Sequence, residues 1–312
     1  MAFDLETKLQ EATLPQEGQG LRFLILEITG GCNLACVHCY ADSSPQAFKR
    51  DVVPTNRWKE IIDEAVQLDC KNAQFIGGEP TLHTDFLEIL QYAHQSGLEQ
   101  IEVYTNATAI TDALIDVFKD LGTRVATSFY SKQPEIHEKV TQRKGSFERT
   151  VEGIKKLVAA GIPLRVGVIR TPHNDSRENI KEALGYLHEL GVNEAGEDRV
   201  RGVGRGSLLK QEDPYSALCG KCWTGRLTVT STGDVYPCVF SRFETVGNIL
   251  TTPLQEILDY QNLAAFKTKI YSVYLSKSTG KRIDTNNVSV ADPCWPWLYE
   301  PEDCMPNICS PS

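Results

Sequence analysis

An α/β fold is predicted, a partial (β/α)6 barrel of the TIM type with a small cysteine-rich C-terminal α+β extension. Three observations lead there. Six short strand-like runs alternate with amphipathic helices between about residues 22 and 206, which implies parallel βαβ units. The span is shorter than the roughly 250 residues of an eight-unit barrel. After residue 206 the pattern changes to a hairpin, one helix and a tail of little periodicity, and six of the 10 cysteines lie beyond residue 218. The expected division is a segment 1–20, a barrel 21–206 and an extension 207–312.

RFLILEIT (22–29) reads as a buried strand. Thr55 is placed to cap a helix over 56–68 whose Trp58, Ile61, Ile62, Ala65 and Val66 share one face. NAQFI (72–76) follows as a strand, a helix over 85–97 is closed by Gly97, and IEVYT (101–105) is the third strand. A helix near 111–120, strand RVATSF (124–129), helix 147–160, strand LRVGVI (164–169) and helix 176–190 continue the series. A sixth strand is expected near 198–203, before GVGRG (202–206). SLLKQEDPYSAL (207–218) reads as a polar linker, and RLTVTSTGDVYP (226–237) as a hairpin turning at Thr232-Gly233-Asp234. A helix over about 253–266 precedes the tail, in which TGKRIDTNN (279–287) reads as a surface loop.

Lys plus Arg number 32 against 41 Asp plus Glu, a net charge of -9. That argues against nucleic acid as partner, since such binding depends on positive surface. No run approaches a membrane span, and the first 20 residues carry no signal peptide, so the cytoplasm is the expected compartment. In a reducing compartment, clustered cysteines point to metal rather than disulfides.

Cys32, Cys36 and Cys39 fall within eight residues, directly after the first strand. Chemistry in a parallel barrel is built at that end of the strands. Three thiolates spaced C-x3-C-x2-C can hold three irons of a [4Fe–4S] cluster and leave the fourth open to a small molecule. Zinc would want a fourth ligand, and His38 lies too close to Cys39 for easy tetrahedral geometry.

The motif, with the aromatic His38 before its third cysteine, resembles that of the radical S-adenosylmethionine (SAM) enzymes. Gly77-Gly78-Glu79-Pro80 at the end of the second strand matches the family's GGEP segment, which binds the methionine amino group. Tyr104-Thr105-Asn106 and Ser128 fall where the family contacts ribose and carboxylate, a softer match. The resemblance covers roughly residues 20–206. It implies two cofactors, a [4Fe–4S] cluster with an open iron and SAM. It also implies an external one-electron reductant, reductive cleavage of SAM to a 5′-deoxyadenosyl radical, and abstraction of a substrate hydrogen.

Cys219, Cys222 and Cys238, with Gly233 five residues before the last, resemble the SPASM/twitch extension of the same family. This implies at least one auxiliary [4Fe–4S] cluster. The usual C-x2-C-x5-C-x3-C run is replaced by Cys294, Cys304 and Cys309 at C-x9-C-x4-C spacing. The preferred account takes Cys219, Cys222, Cys238 and one of those three as ligands. A second, incompletely ligated cluster stays open, and so does a zinc ribbon. A cysteine left over is a candidate hydrogen-atom donor. Cys70 reads as a buried apolar-like thiol. Arg199, Arg201 and Arg205 around GVGRG are read either as meeting SAM or substrate or as a solvated strand end.

SPASM-bearing relatives often act on peptides, so the leading expectation is cross-linking, oxidation or epimerisation of a ribosomally made peptide. The first 20 residues are too few for an attached recognition domain, which would call for a separate peptide-recognition protein. The alternatives are an epimerase or dehydrogenase of a small cationic, aminoglycoside-like sugar and, outside catalysis, a zinc-stapled binding module.

Overall fold

The computed structural model describes residues 20–218, 222, 225–259, 261, 263–267 and 270. Strand β1 (Phe23–Thr29) is buried at all seven positions, as a central parallel strand covered on both faces must be. Its side chains alternate. Leu24, Leu26 and Ile28 enter the layer shared with the helices, while Phe23 and Ile25 meet Ile76 and Val239 on the inner side.

The chain continues through α1 (Thr55–Gln67), β2 (Asn72–Gly77), α2 (Phe86–Gln95), β3 (Gln100–Tyr104), α3 (Asp112–Asp120) and β4 (Arg124–Phe129). Two helices follow, α4 (Pro134–Thr141) and α5 (Ser146–Ala159), then β5 (Leu164–Arg170), α6 (Arg177–Glu189) and β6 (Glu194–Arg199). Beyond them lie the single turn α7 (Gly206–Leu209), β7 (Arg226–Thr230), β8 (Asp234–Tyr236), β9 (Gly247–Asn248) and α8 (Leu254–Leu258). Among the described residues the strands form one nine-stranded sheet in the order β6-β5-β4-β3-β2-β1-β7-β8-β9. Strands β1 to β6 pair in parallel with their neighbours, and among the described residues the sheet does not close, so this is the expected partial barrel. The hairpin of the extension continues the same sheet, because β7 pairs in parallel with β1.

Several local expectations are corrected. Thr55 is the first residue of α1 rather than its cap, and its hydroxyl donates to Asp85 at 2.5 Å. The sixth strand lies four residues earlier than expected, at EAGEDR, since it is an edge strand facing water and carries no apolar run. Helix α4 was absent from the sequence pattern. The expected linker contains α7 and a 3-10 turn at Pro214–Ala217. The hairpin turns where expected, with Gly233 at φ +85°. No helix among the described residues is long and apolar enough to cross a membrane.

The barrel interior is partly polar. Glu102, fully buried, accepts a bidentate pair from Arg165 at 2.8 Å and 2.8 Å and a bond from Gln74 at 2.6 Å. Arg165 also lies over the Tyr104 ring, whose hydroxyl pairs with Ser128 at 2.9 Å. Glu27 on β1 is paired with Arg242, which lies over the rings of Tyr40 and Tyr236. A second small core, Leu218, Cys222, Cys238, Phe266 and Ile270, sits in the extension.

Candidate active site

The loop after β1 has little regular structure of its own, so its backbone groups find partners elsewhere. Gly30 N–H and the Thr29 hydroxyl donate to Asp51 at 2.7 Å and 2.5 Å. Cys32 N–H bonds Ser44 at 3.1 Å. Ala35 and Val37 N–H bond the carbonyls of Thr141 and Val140 at the end of α4, at 3.1 Å and 2.9 Å. Helix α4 therefore props the middle of the cysteine motif.

The three thiols Cys32, Cys36 and Cys39 line one cavity that is open to solvent. Burial, then the other two sulfurs, pushes Cys36 well above the ordinary thiol range. Cys32 is pushed up to about 12, first by burial and then by Glu79. Each sulfur already has a donor: Leu34 N–H to Cys32 at 3.4 Å, Ser43 N–H to Cys39 at 3.3 Å, and the Tyr130 hydroxyl to Cys36 at 4.0 Å. His38 lines the same cavity, edge-on to Tyr130 at 5.2 Å, and burial followed by Arg205 lowers it to about 4. It is neutral at physiological pH, and its Nδ1 is buried with no hydrogen-bond partner among the described residues.

The glycines of GGEP act by close approach. A Cβ at Gly77 would lie 2.3 Å from the Thr29 carbonyl oxygen, and one at Gly78 would lie 1.9 Å from that of Gly31. Gly78 and Glu79 N–H bond Thr29 and Gly31, each at 2.8 Å, so the end of β2 is sewn to the cysteine loop. Glu79 is fully buried and does not line the cavity, nor does Pro80. Its carboxylate accepts from the Thr81 and Thr105 hydroxyls and from Asn106 N–H, each at 2.6 Å. Burial still raises its pKa despite these donors. Asn106 in turn donates to Asn33 at 2.7 Å and to the Cys32 sulfur at 3.7 Å.

Gly77, Gly78, Asn106 and Ser128 thus share the cavity with the thiols and His38. Cys222 and Cys238 stand apart from it, buried with their sulfurs 3.5 Å apart. The Cys222 contact lowers Cys238 to about 7, against the opposing effect of burial. Cys219, Cys294, Cys304 and Cys309 lie outside the described residues. Cys70 is fully buried, its thiol donating to Asn72 at 3.3 Å.

Sequence reasoning missed Tyr130, Asn33 and His137. His137, on α4, lines the cavity inside a box formed by Phe129, Tyr130 and Phe147, and burial lowers it to about 3. The Glu102–Arg165 pair was missed too. Its signal was a charge at an inward-facing position of a predicted strand.

The family model of the radical SAM superfamily matches residues 26–187, just over half of the sequence. The chain belongs to the radical SAM superfamily. A second model, the SPASM iron–sulfur cluster-binding domain, matches residues 219–279. The AdoMet-dependent heme synthase of Methanosarcina barkeri is 30% identical over 172 residues, 55% of this chain and 48% of that protein. The antilisterial bacteriocin subtilosin biosynthesis protein AlbA of Bacillus subtilis is 26% identical over 267 residues, 75% of this chain and 58% of that protein. The chain thus spans about half the length of the curated relatives it matches. Among solved structures, Streptococcus suis SuiB bound to precursor peptide SuiA superposes with a TM-score of 0.65 at 15% identity. That match covers 80% of this chain and 67% of SuiB, and it shows the fold.

The residues of this radical SAM protein fit the family's cofactors. Three thiols, Cys32 buried and Cys36 and Cys39 half-buried, each with a sulfur-directed donor, face one cavity, and Gly77 and Gly78 line it at backbone contact with the cysteine loop. No three His, Cys, Asp or Glu side chains among the described residues converge as a single metal ion needs, whereas a cluster takes each thiolate on a different iron.

Proposed function

We propose that this chain is a radical SAM enzyme that modifies a ribosomally made peptide by cross-linking, oxidation or epimerisation. In this reading Cys32, Cys36 and Cys39 hold the [4Fe–4S] cluster with the open iron. Gly77, Gly78, Asn106, Ser128 and His38 form the walls against which SAM lies, while Glu79 and Pro80 fix those walls from behind. Cys219, Cys222, Cys238 and one of Cys294, Cys304 and Cys309 hold an auxiliary cluster, and a remaining cysteine is a hydrogen-atom donor candidate. Residues 21–206 form the radical-generating unit and 207–312 the auxiliary unit. When bound, the cluster and SAM supply an electron from an external reductant and a 5′-deoxyadenosyl radical that abstracts a substrate hydrogen. The chain's own residues orient the bound groups.

The observation that carries the peptide reading is the character of the cavity. Its walls are largely apolar and aromatic, and Val239 and Phe240 of the extension join Ile76, Tyr104, Tyr130 and Ile169 of the barrel. The carboxylate among its described lining, Asp198, is tied to Arg201 at 2.8 Å, and Arg199 stands beside them. A polycationic aminoglycoside asks for several free carboxylates, which this lining does not offer, despite the acidic balance of the whole chain. AlbA, whose match reaches past β6 into the extension, is named for bacteriocin biosynthesis, and SuiB was crystallised with a precursor peptide. Both support the same substrate class.

The test is anaerobic incubation of the reconstituted protein with SAM, dithionite and short precursor peptides encoded beside its gene. The expected result is 5′-deoxyadenosine above the uncoupled level and a peptide mass change of hydrogen loss, or deuterium uptake from solvent for epimerisation. Stimulation by an aminoglycoside and not by any peptide would overturn this reading.

A further inference from the structure

We propose that Arg205, in the glycine-flanked turn after β6, is a positioning residue that buckles the cysteine loop into its cluster-holding shape. The proposal rests on reading Cys32, Cys36 and Cys39 as cluster ligands.

From Cys32 to Ser43 the loop contains no helix or strand, so its shape depends on outside donors. Arg205 supplies four. Its Nε donates to the Cys36 carbonyl at 2.9 Å, its Nη2 to the Ser43 carbonyl at 2.6 Å, and its Nη1 to the Asp42 carboxylate at 2.7 Å. Its backbone N–H donates to the Cys39 carbonyl at 2.9 Å. One residue thus holds the backbone carbonyls of two cysteines and of a residue four positions beyond the second. A guanidinium suits this task because its planar fork presents donors in fixed directions, whereas a lysine ammonium is a single point.

The flanking glycines make the approach possible. A Cβ at Gly204, whose φ is +57°, would lie 2.4 Å from the Tyr40 carbonyl oxygen and 2.5 Å from that of Cys39. One at Gly206 would lie 2.2 Å from the Arg201 carbonyl oxygen and 3.2 Å from that of His38. The turn therefore lies directly on the loop, with backbone against backbone. A few residues upstream, Asp198, Arg199, Val200 and Arg201 form part of the cavity wall. The run 198–206 is one strap whose first half faces the cavity and whose second half grips the cysteine loop.

Outer residues that orient metal ligands typically change metal affinity by about 10–100-fold when removed. The test compares reconstituted wild type with R205Q, R205K and D42N under anaerobic conditions. Three quantities are read: iron per protein after gel filtration, the rate of iron removal by a bathophenanthroline chelator, and the electron paramagnetic resonance spectrum of the reduced cluster with and without SAM. Circular dichroism melting of the same samples reports folding. R205Q is expected to lose first-cluster iron about 10–100-fold faster and to give a broadened SAM-induced spectral change. R205K, which retains charge and fewer of the bonds, falls between, so a purely electrostatic role is separated from the geometric one. D42N removes the charge of an exposed acceptor but keeps an amide oxygen that can accept from Nη1, so it is expected to lose iron more slowly than R205Q. The proposal is overturned if R205Q, or R205K where R205Q fails to fold, matches wild type in both iron release and spectral response. A wild type that binds no iron overturns the ligand reading and this proposal with it.

Discussion

Substituting Gly78 by alanine tests the close approach on which the site is built. A Cβ there would lie 1.9 Å from the Gly31 carbonyl oxygen and 2.9 Å from that of Gly30, where ordinary contact begins near 3.4 Å. The atoms met are backbone, so no rotamer change relieves the clash. Either the cysteine loop or the GGEP turn must move by about 1.5 Å, the gap between 3.4 Å and 1.9 Å. Misplacing a reacting group by about 1 Å can cost on the order of 100-fold in rate. G78A is therefore expected to form 5′-deoxyadenosine from SAM and dithionite about 100-fold more slowly, measured by anaerobic chromatography, and to hold less iron. Gly185, in the middle of α6, is the control: no atom lies within 4 Å of its would-be Cβ. G185A should retain full turnover and gain about 0.5–1 kcal/mol from a less flexible unfolded chain. If G78A turned over within threefold of wild type, the claim that these glycines are required by backbone contact would be wrong.

The buried ion pair of the barrel should be costly to break from one side: R165M leaves Glu102 charged and fully buried and is expected to destabilise by about 3–5 kcal/mol, with the double variant R165M/E102L recovering most of it in anaerobic urea titrations. His137 has a folded pKa of about 3, lowered by burial from an ordinary 6.5. The unfolded chain thus takes up its proton first as pH falls, and stability drops below pH 6.5. Between pH 7.5 and 5.5 wild type should lose about 1.4 kcal/mol that H137F keeps, read as the difference between their melting curves. Replacing Cys32 by alanine is expected to abolish the SAM-responsive resonance signal. C222A should leave that signal in place while total iron falls, and C70A should leave both unchanged.

What the sequence made legible follows from where water was excluded. β1 to β5 stood out because each carries at least one face of buried apolar residues, and their predicted limits differ from the observed ones by about one residue. β6 did not, since its residues EAGEDR face solvent at the sheet edge and carry no such pattern. α4 escaped for a different reason: eight residues, PEIHEKVT, give too few turns for a periodicity, although Pro134 at its first turn and the buried trio His137, Val140 and Thr141 were a readable trace. The cysteine motif was legible because its ligands are local. The groups that shape the loop are not, for Asp51, Asn106, Thr141 and Arg205 reach it from four other segments. Only glycine left a mark of those contacts in the sequence. Gly78 and Gly204 press against different stretches of the same loop, Gly31 and Tyr40, at 1.9 Å and 2.4 Å for a Cβ that neither carries. A paired or flanking glycine beside a chemically loaded loop thus reads as backbone contact on that loop. By that logic GGEP and GVGRG are two halves of one mould around the cysteines.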